Sequence, residues 1–344
     1  MSQSAPSKTP TQPFTVVLTG NPNCGKTTLF NALTGLRAKV GNYAGVTVER
    51  KEGALTGADP AHPVTVLDLP GTYSLSPQSP DEQIARDVLF QRLADVPAPD
   101  WVLVVVDASN LQRNLYYATQ VIELGHPTAL VLNMVDVARS NGTEIDVEAL
   151  SKALGAPVFP MVASDGEGLD ALRSALRARA SRPGTAHVIP REFNELPEAF
   201  GREAQEIGAA LRSLHPNRQR LAAAEALLLL TDDQSVAAHP DLYPTELRDR
   251  VASARSRLEA AGIDWRSAAI EARYARVFAI QQHVTVETRV EGETFSDRID
   301  RVVTHRVWGV LIFVAVMALM FQSIFRLAKY PMEWIESVVD RFAG

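Results

Sequence analysis

A doubly wound α/β domain, followed by a small all-helical domain and one transmembrane helix, is the fold the sequence predicts. Three observations carry that expectation. Between residues 14 and 180, short apolar runs rich in β-branched residues alternate with helix-like stretches. Between about 195 and 282 those runs give way to Ala, Leu, Glu and Arg. Residues 308–325 form eighteen consecutive positions without a charge.

Taken in order, residues 1–13 are Ser, Thr, Pro and Gln with almost nothing apolar, so a disordered lead is expected. It lacks the apolar stretch of a secretory signal. The runs at 14–19 (FTVVLT), 64–68 (VTVLD), 101–107 (WVLVVVD), 128–133 (TALVLN) and 158–162 are nearly continuous in apolar character. That is how strands buried on both faces of a parallel sheet read. Helices are expected between them, at 111–124 and 169–180 among others. An α/β domain over 14–182 follows, with its sites at the C-terminal ends of the strands. Breaks near Pro216, Pro240, Pro244 and Gly262 divide a helical domain over 183–290 into several short helices. Residues 291–306 read as a charged linker. The apolar segment, about 27 Å long as a helix, matches the hydrocarbon thickness of a bilayer, with Trp308 at its edge. A transmembrane helix is expected over 307–326. Residues 327–344 read as an amphipathic, interfacial segment of a chain cut short after its first span. A leaderless domain stays in the cytosol, which places the N-terminal side of the span there.

Net charge is −6 over 344 residues. No basic surplus marks a nucleic-acid binder. The single cysteine, Cys24, excludes an internal disulfide. The seven histidines are scattered without metal-ligand spacing.

The chemistry concentrates at strand ends. Directly after the first strand stands Gly20-Asn21-Pro22-Asn23-Cys24-Gly25-Lys26-Thr27, followed by Thr28 and a helix. It matches G-x-x-x-x-G-K-[ST]. Glycines let backbone N–H groups turn toward a polyphosphate, and the helix presents its positive end to the same charge. Lys26 would bridge the β- and γ-phosphates, and Thr27 would ligate Mg²⁺. An accidental glycine-rich turn is the competing reading, opposed by the strand before and the helix after.

Three further motifs select the base and the switch. Asp68-Leu69-Pro70-Gly71 ends the second strand, where Asp68 can hold Mg²⁺ through water and the Gly71 N–H can sense the γ-phosphate. Asn133-Met134-Val135-Asp136 ends the fourth. A carboxylate at Asp136 would accept from guanine N1–H and the 2-amino group, donors adenine lacks. Met134 replaces the lysine of the usual N-K-x-D form and can supply similar packing. Ala163 and Ser164 stand where a backbone N–H would meet guanine O6. Gly45, Val46 and Thr47 lie in the intervening loop, and Thr47 is the natural switch threonine for Mg²⁺ and the γ-phosphate. Together these predict a GTP- and GDP-binding domain with GTPase activity.

With those residues in hand, the chain resembles the N-terminal region of the bacterial ferrous iron transport protein B (FeoB) family. The matching stretches are GNPNCGKTTLFN at 20–31, VGNYAGVTVERKEG at 40–53, DLPGTYSL at 68–75, NMVD at 133–136 and IDRVVTHRV at 299–307. The resemblance implies a cytosolic regulatory GTPase of an inner-membrane Fe²⁺ transporter, with further transmembrane permease segments. It also implies a helical domain that damps GDP release. Membrane lipid, small cytosolic Feo accessory proteins and further copies of itself are the partners it suggests. It further implies a K⁺-assisted reaction with Asn23 as the K⁺ ligand; otherwise Asn23 is a turn residue tolerating the loop geometry. The catalytic group is then Lys26, Thr47, Gly71 and Asn23. Thr72 stands where a glutamine would orient water, so slow intrinsic hydrolysis is expected. Cys24 replaces a serine common in the family; a helix N-terminus and Lys26 would lower its thiol pKa, while the plainer reading is a small residue that fits. The alternative function is a soluble G protein of ribosome or RNA assembly with its apolar helix packed internally, disfavoured by the lack of a basic appendage.

Overall fold

The computed structural model describes residues 13–43, 46–182, 191–237, 241–287 and 295–324. The expected disordered lead and the interfacial segment lie outside the described residues, apart from Pro13. The chain divides into two compact units, Met1–Thr288 and Arg289–Gly344.

The first unit opens with β1 (Phe14–Gly20), α1 (Lys26–Thr34), β2 (Ala38–Asn42), β3 (Glu49–Ala54) and β4 (Val64–Asp68). It continues with α2 (Pro80–Leu89), β5 (Trp101–Asp107), α3 (Leu111–Glu123), β6 (Thr128–Asn133) and α4 (Val135–Ser140). Next come β7 (Thr143–Ile145), α5 (Val147–Leu154), β8 (Val158–Pro160) and α6 (Leu169–Ala180). Seven strands form one sheet in the order β2-β3-β4-β1-β5-β6-β8. β1 pairs parallel with both β4 and β5, so the order reverses at β1 and a crevice opens beyond its C-terminal end. The expected strands are all present. β2 and β3 were not foreseen: both pair antiparallel, and β2 is exposed along its length, so neither carries the apolar run that marks a buried strand.

Side-chain alternation builds two layers. Val17, Val102, Val104 and Leu130 face α2, α3 and α5, and Val16, Leu18, Leu103, Val105 and Val131 face α1 and α6. Local chemistry fixes the helix ends. Ser79 accepts from the Glu82 N–H at the head of α2 with Pro80 in the first turn, Asp146 caps α5, and Gly35 closes α1 at φ 64°.

The helical part is α7 (Glu198–Leu214), α8 (Ala222–Thr231), α9 (Asp233–Ala237), α10 (Thr245–Ala260) and α11 (Ala268–Val284). Its core holds Phe200, Leu211, Leu229, Tyr243, Leu247, Leu258 and Trp265. It does not stand apart from the sheet. Leu221, Leu228, Val277, Ile280 and Val284 belong to the same core as α3 and β5. α11 runs into β9 (Thr285–Glu287), which pairs antiparallel with β7, so the expected all-helical domain returns to the α/β part by a short strand. Between α3 and α11, the buried Glu123 carboxylate receives Arg273, the Phe193 N–H at 2.6 Å and Asn194.

In the second unit, the expected linker contains α12 (Phe295–Val303), and α13 (Trp308–Gln322) follows. Of the span expected over 307–326, the described residues contain the part up to residue 324. α13 has 15 residues, about 22 Å at 1.5 Å each, and the backbone widens to a π-type turn at Ser323 and Ile324. Among the described residues, no helix is long and apolar enough to cross a membrane. α13 is nonetheless charge-free, and no side chain in it is buried. The expected end of the span, from residue 325, lies outside the described residues.

Removing one partner of a buried ion pair leaves an uncompensated charge, typically at a cost of about 3–5 kcal/mol. Arg273→Ala should therefore lower the unfolding free energy in urea by about that amount. Arg273→Met combined with Glu123→Gln should recover part of it, and a loss below about 1 kcal/mol for the single variant would contradict the structural role given to the pair.

Candidate functional site

The crevice beyond β1 is built by close backbone approach. Gly20 sits at φ 150°, where a Cβ would lie 2.3 Å from the Val105 carbonyl oxygen. Gly25, at φ 91°, ends the loop and precedes α1; a Cβ there would lie 2.2 Å from Asn133 Nδ2. Both positions demand glycine on space as well as on backbone angle. Asn23 takes φ 63°, a left-handed conformation that asparagine tolerates. α1 has no side-chain cap and no acid in its first turn, so its leading N–H groups are left for an anion. Lys26 is buried, and its ammonium donates to the Gly20 and Asn21 carbonyl oxygens at 3.0 and 2.9 Å. Burial pushes its pKa down. The amine thus lies over the loop, where phosphate oxygens can replace the carbonyls as acceptors. Thr27 and Thr28 are exposed on the first turn.

Asn133 ties three of the predicted motifs together. Its Nδ2 donates to the Cys24 carbonyl at 2.9 Å, and its Oδ1 accepts from the Ala163 N–H at 2.9 Å, both buried. Sequence reasoning counted Asn133 with the nucleotide-binding residues; in the structure it is a brace between the phosphate loop, its own strand end and the Ala163 turn. Met134 follows at φ 61°, with its methyl 3.9 Å from where a Gly25 Cβ would stand. The strained turn releases α4, and Asp136 stands exposed in that helix's first turn. Ala163 is buried and Ser164 exposed, in a turn closed by the Val162–Glu167 bridge.

Asp68, at the tip of β4, is buried, and its Oδ1 has no hydrogen-bond partner. Burial pushes its pKa up to about 6, with Lys26 opposing the shift. Gly71 packs onto the phosphate loop: a Cβ there would meet Lys26 Nζ and the Pro22 nitrogen, each at 3.0 Å. Thr72 is buried, its N–H donates to the Gly20 carbonyl at 3.2 Å and its hydroxyl donates to the Ser74 carbonyl at 2.7 Å. That hydroxyl is spoken for and does not replace a water-orienting glutamine. Val46 and Thr47 are exposed on the β2–β3 connection, and Gly45 lies outside the described residues.

Two expectations change. Cys24 is 1% exposed and burial pushes its thiol pKa up, outweighing Lys26, so the lowered pKa considered from sequence does not arise. Asn21, counted with the phosphate residues, turns its buried side chain to α3, donating to the Arg113 carbonyl at 3.4 Å. One residue was missed. Tyr43 buries its ring in the core against the α2 side of the sheet, and its N–H donates to the Val48 carbonyl at 3.0 Å, pinning the base of the loop that carries Thr47. Its aromaticity within VGNYAGVT was visible, but nothing in the sequence gave its depth.

The donor set suits Mg²⁺. A buried carboxylate oxygen without a partner lies near Lys26, and a threonine hydroxyl stands on the first turn of α1; Mg²⁺ keeps several waters and takes phosphate oxygens for the rest. Among the described residues, no group of three His, Cys, Asp or Glu could hold a metal by protein ligands alone.

Comparison with known proteins agrees with this geometry. The family described as ferrous iron transport protein B matches residues 14–176. The chain is 40% identical over 312 residues to the Fe(2+) transporter FeoB of Salmonella typhimurium, covering 90% of this chain and 38% of that protein. It thus spans under two-fifths of the length of such relatives. The solved cytosolic domain of L. pneumophila FeoB superposes with TM-score 0.66 at 32% identity, covering 79% of this chain and 99% of that one. A GDP-bound mutant of the S. thermophilus FeoB N-terminal domain superposes with TM-score 0.67 at 34% identity, with the same coverage. By motif, geometry and likeness alike, the chain belongs to the ferrous iron transport protein B family.

Proposed function

We propose that this chain binds and hydrolyses GTP beyond β1 and acts as the cytosolic regulatory part of a bacterial inner-membrane ferrous iron transporter. The single observation that carries the GTP reading is the Asn133 brace, which holds Asp136 and the Ala163 turn in fixed relation to the phosphate loop. The iron reading rests on family membership. The charge-free, unburied α13 supports contact of residues 307–326 with lipid or with further permease segments. The soluble ribosomal reading is not favoured, since the chain's relatives are ferrous iron transporters.

Phosphoryl transfer asks a protein chiefly for positioning and for charge aimed at the transferring group. In this reading Lys26 moves its ammonium from loop carbonyls to β- and γ-phosphate oxygens. The N–H groups at the start of α1 hold the same chain of phosphates, Thr28 included. The Gly71 N–H, in a residue packed beside Lys26, reports on the γ-phosphate, and Thr47 closes over it on its Tyr43-anchored loop. Thr27, Thr47 and, through water, Asp68 would hold Mg²⁺, which when bound neutralises phosphate charge. Asn23, exposed and turned out by its positive φ, offers its side-chain oxygen to K⁺. With the Thr72 hydroxyl committed to Ser74, attacking water is oriented by backbone, and intrinsic turnover is slow.

Three measurements test this reading. Asp136→Asn should cost GTP at least about 100-fold in affinity while xanthosine triphosphate gains, since two hydrogen bonds to a charged group are exchanged; unchanged guanine selectivity refutes the base assignment. Protonated Asp68 cannot serve Mg²⁺, so the Mg²⁺-dependent share of GTP affinity should be full well above pH 6, be half lost at about pH 6 and vanish well below it. Asp68→Asn should remove that dependence, and an identical pH profile in the variant argues against the assignment. Finally, replacing K⁺ by Na⁺ should slow kcat in the native chain but not in Asn23→Ala; equal rates in both salts for the native chain would sink the K⁺ role.

A further inference from the structure

A cavity of about 390 Å³ lies in the helical part of the first unit, away from the phosphate loop, between α7, the 191–196 segment and the start of α8. Two arginines, Arg212 on α7 and Arg220 just before α8, line it. Both are exposed to solvent, and neither guanidinium has a hydrogen bond or an acidic partner among the described residues. The other charged groups of the wall are largely engaged. Arg191 donates to the Lys152 and Ala153 carbonyls at 2.9 and 2.8 Å, and Glu123 is held by Arg273 and the Phe193 N–H. Glu192, exposed, is the remaining acid of the lining.

Leu196 and Leu227 add apolar side chains to the lining. Gly201 also lines the cavity, within α7, where a Cβ would meet nothing within 4 Å. Glycine in a helix costs up to about 1 kcal/mol relative to alanine, and packing among the described residues gives no steric reason for it here. Partial desolvation pulls the Arg220 pKa down, with no countercharge to offset it. Two guanidinium groups without an acidic partner, apolar side chains in the same lining and space kept open by glycine describe a receptor for a small organic anion.

We propose that this cavity binds a small soluble organic phosphate, its phosphate between Arg212 and Arg220 and its carbon body against Leu196 and Leu227. Planar guanidinium forks suit phosphate oxygens, and the volume admits a ligand of metabolite size. A lipid headgroup could offer the same phosphate, but its acyl chains would have to leave a cavity of limited volume.

The test uses the full chain saturated with GDP and Mg²⁺, so that the phosphate loop is occupied, and phenyl phosphate as probe. One equivalent should bind by calorimetry, with inorganic phosphate weaker and phenol silent. The Arg212→Ala/Arg220→Ala double variant should weaken the probe at least tenfold with GDP affinity and melting temperature unchanged. Gly201→Leu, which fills the space, should do the same by exclusion. Absence of an additional equivalent, or equal binding by all variants, overturns the proposal. Arginine-dependent binding to phosphatidylglycerol vesicles without any phenyl phosphate binding also overturns it, in favour of a lipid headgroup. Because GDP occupancy is measured in every arm, failure here leaves the guanine reading separately judged.

Discussion

Two buried hydrogen bonds from one side chain set the geometry on which the site depends. Asn133 reaches across from the end of β6 to the Cys24 carbonyl and to the Ala163 N–H, and so makes one rigid frame from three segments distant in sequence. Buried amides that fulfil such bonds are costly to disturb, because each released backbone group would be left without water or a partner. Glycine at position 25 is the counterpart of this brace. The Asn133 amide occupies the space a side chain would need there, and the phosphate loop can close on α1 only because that space is free.

Charge is arranged with similar economy. Lys26 and Asp68 are both buried near the same loop, and each is shifted toward its neutral form by burial while each favours the charged form of the other. In the proposed reading, a polyphosphate with its divalent ion would supply the charges that balance both. Gly71 and Thr72, packed on the loop at Pro22 and Gly20, connect that balance directly to the segment leading into α2.

From α2 the connection continues into the helical part. Beyond its end, Arg92 donates to Glu225 at 2.8 Å and to Asp87 at 3.2 Å, and it also meets Tyr243, whose hydroxyl donates to Glu225 at 2.6 Å. With Glu123 and Arg273 this makes two buried polar ties across a shared apolar core. The helical part therefore moves with α2 and α3 or must break desolvated ion pairs, which are expensive to leave half-made. The β7–β9 ribbon adds a backbone tie just before the chain leaves this unit.

Much of this was legible in the chain itself. Continuous apolar runs marked the five parallel strands, and the spacing of Gly20, Gly25, Lys26, Asp68, Gly71, Asn133 and Asp136 marked the strand ends proposed to hold phosphate and base, because backbone approach and base recognition demand particular residues there. The edge strands β2 and β3 escaped, since half-exposed antiparallel pairs lack that apolar signature. The depth of Tyr43, the raised rather than lowered Cys24 thiol pKa and the turning of Asn21 toward Arg113 also escaped. Sequence alone determined which chemistry stands at which strand tip. Only the tertiary structure decided how Asn133 braces three loops, how α3 and α11 share one core and where a second cavity opens, because burial and long-range pairing are properties of the packed chain and not of any local run of residues.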